Sequence, residues 1–133
     1  MSKLILVRGL PGSGKSTIAT AFNISHYEAD MFFINNAGEY IYDASKIASA
    51  HSWCQQMVRQ DVDYGTDCVV SNTFTTLKEL DPYFQIAKEN GIVPSVILAQ
   101  GDFKNVHGVP DEVLAKMKAR FVYDISPLYT KYF

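Results

Sequence analysis

Residues 9–16 match the pattern G-x-x-x-x-G-K-[ST], with a third glycine at position 12. Glycines let a backbone curve tightly enough for its N–H groups to converge on an anion. The lysine of this pattern reaches the β- and γ-phosphates of a nucleotide, and the serine hydroxyl binds Mg²⁺. The pattern therefore predicts a phosphate-binding loop for a nucleoside triphosphate, built from Gly9, Pro11, Gly12, Ser13, Gly14, Lys15, Ser16 and Thr17.

A loop of this kind needs a strand before it and a helix after it, and the flanking residues predict both. Residues 3–8 form a short, mostly apolar run that ends at the first glycine, as expected of a buried parallel strand. Residues 16–22 follow with helical spacing, and the N-terminus of that helix would add partial positive charge to the loop. The sequence thus predicts the strand–loop–helix unit that the motif requires.

The rest of the chain alternates between strand and helix signals. Strands are predicted at 25–29, 67–71 and 92–99, and helices at 44–62, 76–89 and 110–123. This order predicts a three-layer α/β/α P-loop NTPase fold with a mostly parallel sheet of four to five strands. Ligands of such sheets bind at the carboxyl ends of the strands, so the loop, Asp30, Asn72 and the 101–110 turn should surround one crevice.

Composition limits the kind of protein that this chain can be. Its 133 residues suit one domain (1–133), and its net charge of −2 argues against general coating of nucleic acid. Cys54 and Cys68, without a secretory signal, are expected to be reduced thiols in a cytoplasmic protein. No apolar run approaches twenty residues, so a membrane partner is not expected.

Asp30 favours phosphoryl transfer over simple nucleotide binding. It follows the second predicted strand, where a kinase needs a carboxylate to orient the acceptor hydroxyl and accept its proton. It can also bind Mg²⁺ through water, together with Ser16, or simply cap a helix. The third strand ends in Ser71 and Asn72 instead of an aspartate. Many P-loop hydrolases bind Mg²⁺ through an acid at this point, so its absence weakens that interpretation.

The segment 101–120 is the predicted lid of this site. Cations at Lys104, His107 and Arg120 could approach the transferred phosphoryl group and neutralise the charge that develops on it. A solvated helix face is the alternative interpretation, because acidic residues are interleaved with these cations.

These residues together resemble the 5′-hydroxyl polynucleotide kinase branch of the P-loop kinases, which includes the bacteriophage end-healing kinase and its small stand-alone relatives. The resemblance covers most of the chain and rests on four stretches of sequence: 9–17, Asp30, 71–73, and 107–110 before Leu114, Met117 and Arg120. It implies that Asp30 is the general base, that Lys15 and Ser16 handle the donor phosphates of ATP, and that 104–120 forms a lid.

The chain departs from that family at two positions. Phe33 stands where the phage enzyme has an arginine that contacts the acceptor's phosphate, and Lys104 stands where relatives carry arginine. The resemblance still implies ATP- and Mg²⁺-dependent transfer to the 5′-hydroxyl of DNA or RNA. A nucleoside, nucleotide or small metabolite is the alternative acceptor. A nucleotide-binding regulator with little turnover is the alternative from another class, and the oligomeric state is left open.

Overall fold

The computed structural model describes residues 2–103 and 108–133. Within them, four parallel strands form one sheet in the order β2-β3-β1-β4. The strands are β1 (Leu4–Arg8), β2 (Ser25–Tyr27), β3 (Cys68–Asn72) and β4 (Ser95–Leu98). The register pairs Arg8 with Asn72 on one side and with Leu98 on the other. The carboxyl ends of β3, β1 and β4 therefore lie at one edge of the sheet.

Helices connect and follow these strands. They are α1 (Lys15–Ala21), α2 (Ile47–Asp63), α3 (Leu77–Glu89), α4 (Asp111–Arg120) and α5 (Ser126–Tyr132), with 3-10 helices at Ala29–Phe33 and Ala44–Lys46. Local sequence fixes where α3 begins, because Thr76 and Glu79 form a reciprocal capping box. Of the helices in residues 2–103 and 108–133, none has the length and apolar character needed to cross a bilayer.

Two hydrophobic cores lie on opposite faces of the sheet. Alternate residues of β1 point to opposite faces, so Leu4 and Leu6 belong to one core and Ile5 and Val7 to the other. The first core packs the sheet against α2, α3 and α5, and the second packs it against α1. Helices thus cover both faces, and the predicted three-layer P-loop fold is confirmed.

The structure corrects three details of the prediction. Strand β2 ends at Tyr27, so Asp30 lies in the 3-10 helix Ala29–Phe33 and not at the end of a longer strand. Helix α4 ends at Arg120, because the Val122 N–H turns to donate to the Thr75 carbonyl.

The third correction concerns the end of the chain. The helix predicted at 110–123 was expected to be the last one, but α5 follows it and packs on α3. In this helix Leu128 is buried, the Tyr129 ring lies 4.9 Å from that of Phe84, and the Tyr129 hydroxyl donates to the Pro94 carbonyl. These contacts, distant in sequence, stabilise a helix too short to form alone.

Candidate active site

A cleft of about 570 Å³ opens at the carboxyl edge of the sheet. One wall carries the phosphate-binding loop, and another carries the 3-10 helix that contains Asp30. Helix α4 and the residues just before it form a third wall. The lining of the whole cleft includes Lys15, Ser16, Glu28, Asp30, Phe33, Tyr40, Tyr42, His51, Val113, Met117 and Arg120. The cleft thus combines cations, carboxylates and aromatic rings.

The phosphate-binding loop is held by its own backbone and by the segment after β4. Gly12 and Gly14 have left-handed φ values of 83° and 89°, which glycine adopts without strain. The Gly101 N–H donates to the Ser13 carbonyl at 3.0 Å, and the Phe103 N–H donates to the Gly12 carbonyl at 2.7 Å. Residues 101–103, part of the predicted lid, therefore brace the loop.

Lys15 is suited to bind an anion in this loop. Burial lowers the pKa of its ammonium group, while the nearby carboxylates of Glu28 and Asp30 oppose that change. Among the described residues, no carboxylate oxygen lies within 4.0 Å of its nitrogen. The Ser13 hydroxyl is also buried, with no hydrogen-bond partner in that part of the chain. A phosphate chain would provide acceptors for the Lys15 ammonium group, so the loop fits a nucleoside triphosphate such as ATP.

Asp30 is positioned by Asn72. The Asn72 side chain is buried at the end of β3, where its oxygen accepts the Ala29 N–H at 2.9 Å and its nitrogen lies 3.8 Å from the Cys54 sulfur. This hydrogen bond fixes the start of the 3-10 helix directly before Asp30, which lines the cleft. The Tyr40 hydroxyl lies 3.4 Å from the Asp30 carboxylate.

Replacing Asn72 by alanine should therefore displace Asp30 as well as destabilise the fold. The buried Ala29 N–H would lose its acceptor, which costs about 1–3 kcal/mol of unfolding free energy. Urea unfolding and ATP-dependent transfer would be measured together. Asn35→Ala, which removes an exposed asparagine whose oxygen also accepts backbone hydrogens, should change both much less. Normal stability and transfer in Asn72→Ala would contradict this positioning role.

Sequence reasoning missed Glu28, which stands just after β2. The Ser16 hydroxyl donates to its Oε1, and the Ser71 hydroxyl donates to the same oxygen at 2.7 Å. His26 Nε2 lies 2.6 Å from the Ser71 hydroxyl and 3.4 Å from Oε1. Burial opposes ionisation of this carboxyl, but these three hydrogen-bonding groups outweigh it and lower its pKa to about 2. The site thus contains an ionised carboxylate in contact with the loop serine.

Arg8 is a second polar residue whose role the sequence did not indicate. Its guanidinium is almost fully buried and donates to the Phe74 carbonyl from Nε at 3.1 Å and from Nη2 at 2.6 Å. It also lies 4.4 Å from the centre of the Phe121 ring. Arg8 therefore ties β1 to the turn after β3 and to the residue that follows α4.

Of the three cations predicted in the lid, the structure describes Arg120. Arg120 lines the cleft at the end of α4, where its Nε donates to the Thr75 hydroxyl at 3.0 Å. Thr75 in turn donates to Glu79, so Arg120 is part of the network that begins α3. Lys104 and His107 lie outside the described residues.

The oxygen-rich end of the cleft suits a magnesium ion bound together with phosphates. Ser16, Glu28 and Asp30 offer a hydroxyl and two carboxylates, the oxygen donors that Mg²⁺ prefers. No cluster of three or more His, Cys, Asp or Glu side chains able to hold a metal occurs in residues 2–103 and 108–133. This donor set fits a cation that takes its remaining ligands from nucleotide phosphates and water.

The chain matches the family AAA_33, described as an AAA domain, over residues 4–123. Among curated proteins, the chain is 29% identical over 132 residues to NEDD4-binding protein 2 of Homo sapiens. That match covers 86% of this chain and 7% of the relative, so the chain spans a small part of the relative's length.

Solved structures share the fold. A chain of the Pnkp1/Rnl/Hen1 RNA repair complex has a TM-score of 0.68 and 18% identity, covering 99% of this chain and 46% of that one. The APS kinase of Mycobacterium tuberculosis, in complex with AMPPNP and APS, has a TM-score of 0.56 and 18% identity. The match covers 89% of this chain and 74% of that kinase. These likenesses agree with a P-loop kinase fold.

Proposed function

Because the chain belongs to the AAA_33 family and is a P-loop kinase by its fold, we propose that it transfers the γ-phosphoryl group of ATP to a hydroxyl group. One observation carries this proposal: Lys15 of the phosphate-binding loop and Asp30 line the same cleft. A cation for the donor phosphates and a carboxylate for the acceptor hydroxyl are the two groups that such a reaction needs on opposite sides of the transferred phosphorus.

In the proposed reaction, Lys15 and the loop amides hold the β- and γ-phosphates. Asp30 orients the acceptor hydroxyl and accepts its proton as the acceptor oxygen bonds to the γ-phosphorus. The bond from that phosphorus to the β–γ bridging oxygen breaks, and ADP leaves. Arg120, and His107 or Lys104 from the segment before α4, neutralise charge on the transferred group.

Ser16 would hold Mg²⁺ beside the nucleotide, with Asp30 contributing through a water molecule. When bound, the ion would neutralise negative charge on the phosphate oxygens as the phosphoryl group moves.

The 5′-hydroxyl of DNA or RNA is the leading acceptor. The cleft is open, and its exposed aromatic rings at Tyr40 and Tyr42 offer surfaces on which a terminal base can stack. The fold likeness to a chain of an RNA repair complex supports the same choice.

A nucleoside, nucleotide or other small metabolite is the second candidate acceptor, and Phe33 favours it. This residue is 7% exposed and packs against Phe32, Tyr40 and Tyr42. It therefore offers no charge for the phosphate groups of a polynucleotide chain. The fold likeness to an APS kinase supports a small acceptor.

The test is incubation of the protein with γ-labelled ATP and Mg²⁺ against separate panels of 5′-hydroxyl DNA, 5′-hydroxyl RNA and nucleosides. We expect label on the nucleic-acid ends. Label on nucleosides alone would select the second candidate. Label on none of the acceptors, with ATP binding intact, would contradict the nucleic-acid and nucleoside acceptors and favour a nucleotide-binding regulator or another small metabolite as acceptor.

A further inference from the structure

The end of β3 presents a hydroxyl where many P-loop hydrolases place their magnesium-binding acid. That hydroxyl belongs to Ser71, which is buried and donates to Glu28 Oε1 at 2.7 Å. Glu28 directly follows β2, the strand that pairs with β3. A carboxylate therefore lies beside the end of β3, although it comes from the neighbouring strand.

The hydrogen bonds leave oxygen lone pairs available for a cation. Ser16 and Ser71 each have one hydroxyl hydrogen, and both donate it to Glu28 Oε1. Ser71 must then accept from His26 Nε2, which lies 2.6 Å away. Because Ser16 has given its hydrogen to the carboxylate, the lone pairs of its oxygen remain for a metal. In the part of the chain that the structure describes, no hydrogen bond engages Glu28 Oε2.

We propose that Glu28 is the main carboxylate of the magnesium site, ahead of the water-mediated contribution of Asp30. It comes from the residue after β2 and replaces the acid missing from the end of β3. Oε1 orients the Ser16 hydroxyl, and Oε2 remains to accept a hydrogen bond from a water of the hydrated ion. His26 and Ser71 hold the carboxylate in place. The proposal rests on the proposed function only in requiring a nucleotide at the phosphate-binding loop.

The test measures binding and not activity. Affinity for the non-hydrolysable analogue AMPPNP would be determined by calorimetry, once with Mg²⁺ and once with EDTA, for the wild type and for Glu28→Gln. Glutamine keeps the size and one acceptor oxygen of Glu28 but removes its charge. In Glu28→Gln, the gain in AMPPNP affinity that Mg²⁺ produces should be about tenfold or more smaller than in the wild type. Affinity in EDTA should stay equal or rise, because a negative charge beside the phosphates has been removed.

Glu39→Gln is the matched control, since it makes the same chemical change at an exposed glutamate that does not line the cleft. It should change the Mg²⁺-dependent gain less than threefold. A loss of the gain in Asp30→Asn but not in Glu28→Gln would overturn the proposal in favour of Asp30. An equal loss of AMPPNP affinity with and without Mg²⁺ in Glu28→Gln would also overturn it, by showing a purely structural role.

A double variant keeps the proposal falsifiable if Glu28→Gln folds poorly. The double variant Glu28→Gln, Ser71→Asp returns a carboxylate to the end of β3, next to His26 and to residue 28. We expect it to recover most of the Mg²⁺-dependent gain. A folded double variant that recovers none would contradict a carboxylate-held metal at this place. None of these measurements uses an acceptor, so a failed transfer assay would leave the result on Glu28 standing.

Discussion

Replacing Lys15 by alanine should remove phosphoryl transfer and weaken nucleotide binding together. The lysine side chain is half-buried in the loop, and among the described residues no carboxylate lies within ion-pair distance of it. Its charge is therefore available to the phosphates of ATP, both before and during transfer. We expect transfer to fall by about 10³-fold or more, because a charge that stabilises the transition state is lost from a partly dry site. AMPPNP affinity should fall by about tenfold or more, since charge-assisted hydrogen bonds contribute about 1.5–3 kcal/mol each.

Lys78→Ala supplies the control for that experiment. Lys78 is exposed on α3 and does not line the cleft, so its loss should change neither quantity. The stability of Lys15→Ala should equal or exceed that of the wild type, because burial opposes its charge. Unchanged AMPPNP affinity in a folded Lys15→Ala protein would show that residues 9–16 do not hold the nucleotide.

Replacing Asp30 by asparagine should separate chemistry from binding. Asparagine keeps the size of the side chain but cannot accept a proton from the acceptor hydroxyl. Transfer should fall by about 10²–10⁴-fold, the usual contribution of a general base. AMPPNP affinity in Mg²⁺ should fall far less than transfer, because Lys15, Ser16 and the loop amides remain in place. Rates at saturating ATP and acceptor, together with calorimetry, measure the two effects.

Asp63→Asn is a suitable control for the loss of one negative charge. Asp63 is exposed at the end of α2 and does not line the cleft. Near-normal transfer in Asp30→Asn would reject this residue as the base. A protein that binds nucleotide without transferring phosphate would instead show no rate to lose, and the wild-type assay would reveal this directly.

Local signals predicted most of the fold. The apolar run before Gly9 gave β1, and the capping pair Thr76 and Glu79 agrees with the predicted start of α3. The errors fall where distant contacts override local preference. Strand β2 is shorter than predicted because the Asn72 side chain, 43 residues along the chain, takes the Ala29 N–H. Helix α5 is the exception, because it carries local signals that the prediction overlooked: Pro127 lies in its first turn, and Leu128, Tyr129 and Tyr132 face the core at helical spacing.

The residues of the candidate site were also predicted only in part from the sequence. Lys15, Ser16 and Asp30 were predicted to meet, because the sheet topology brings the ends of parallel strands together, and all three line the cleft. Glu28 was missed because its importance depends on the pairing of β2 with β3, which places it beside Ser71. An acid near the second strand could have been noticed once the third strand was found to lack one. The hydrogen bond from Arg120 to Thr75 crosses 45 residues, and local sequence carries no sign of it.

The brace between residues 101–103 and the phosphate-binding loop has a consequence for how a nucleotide is captured. The Gly12 carbonyl accepts a hydrogen bond from the Phe103 N–H, and the Ser13 carbonyl accepts one from the Gly101 N–H. Their peptide planes are therefore held before any ligand arrives, and the loop does not have to lose conformational entropy on binding. Association should then depend on diffusion into an organised cradle and not on a slow folding of the loop. Substitutions that loosen this segment would change the entropy of binding more than the number of contacts to phosphate.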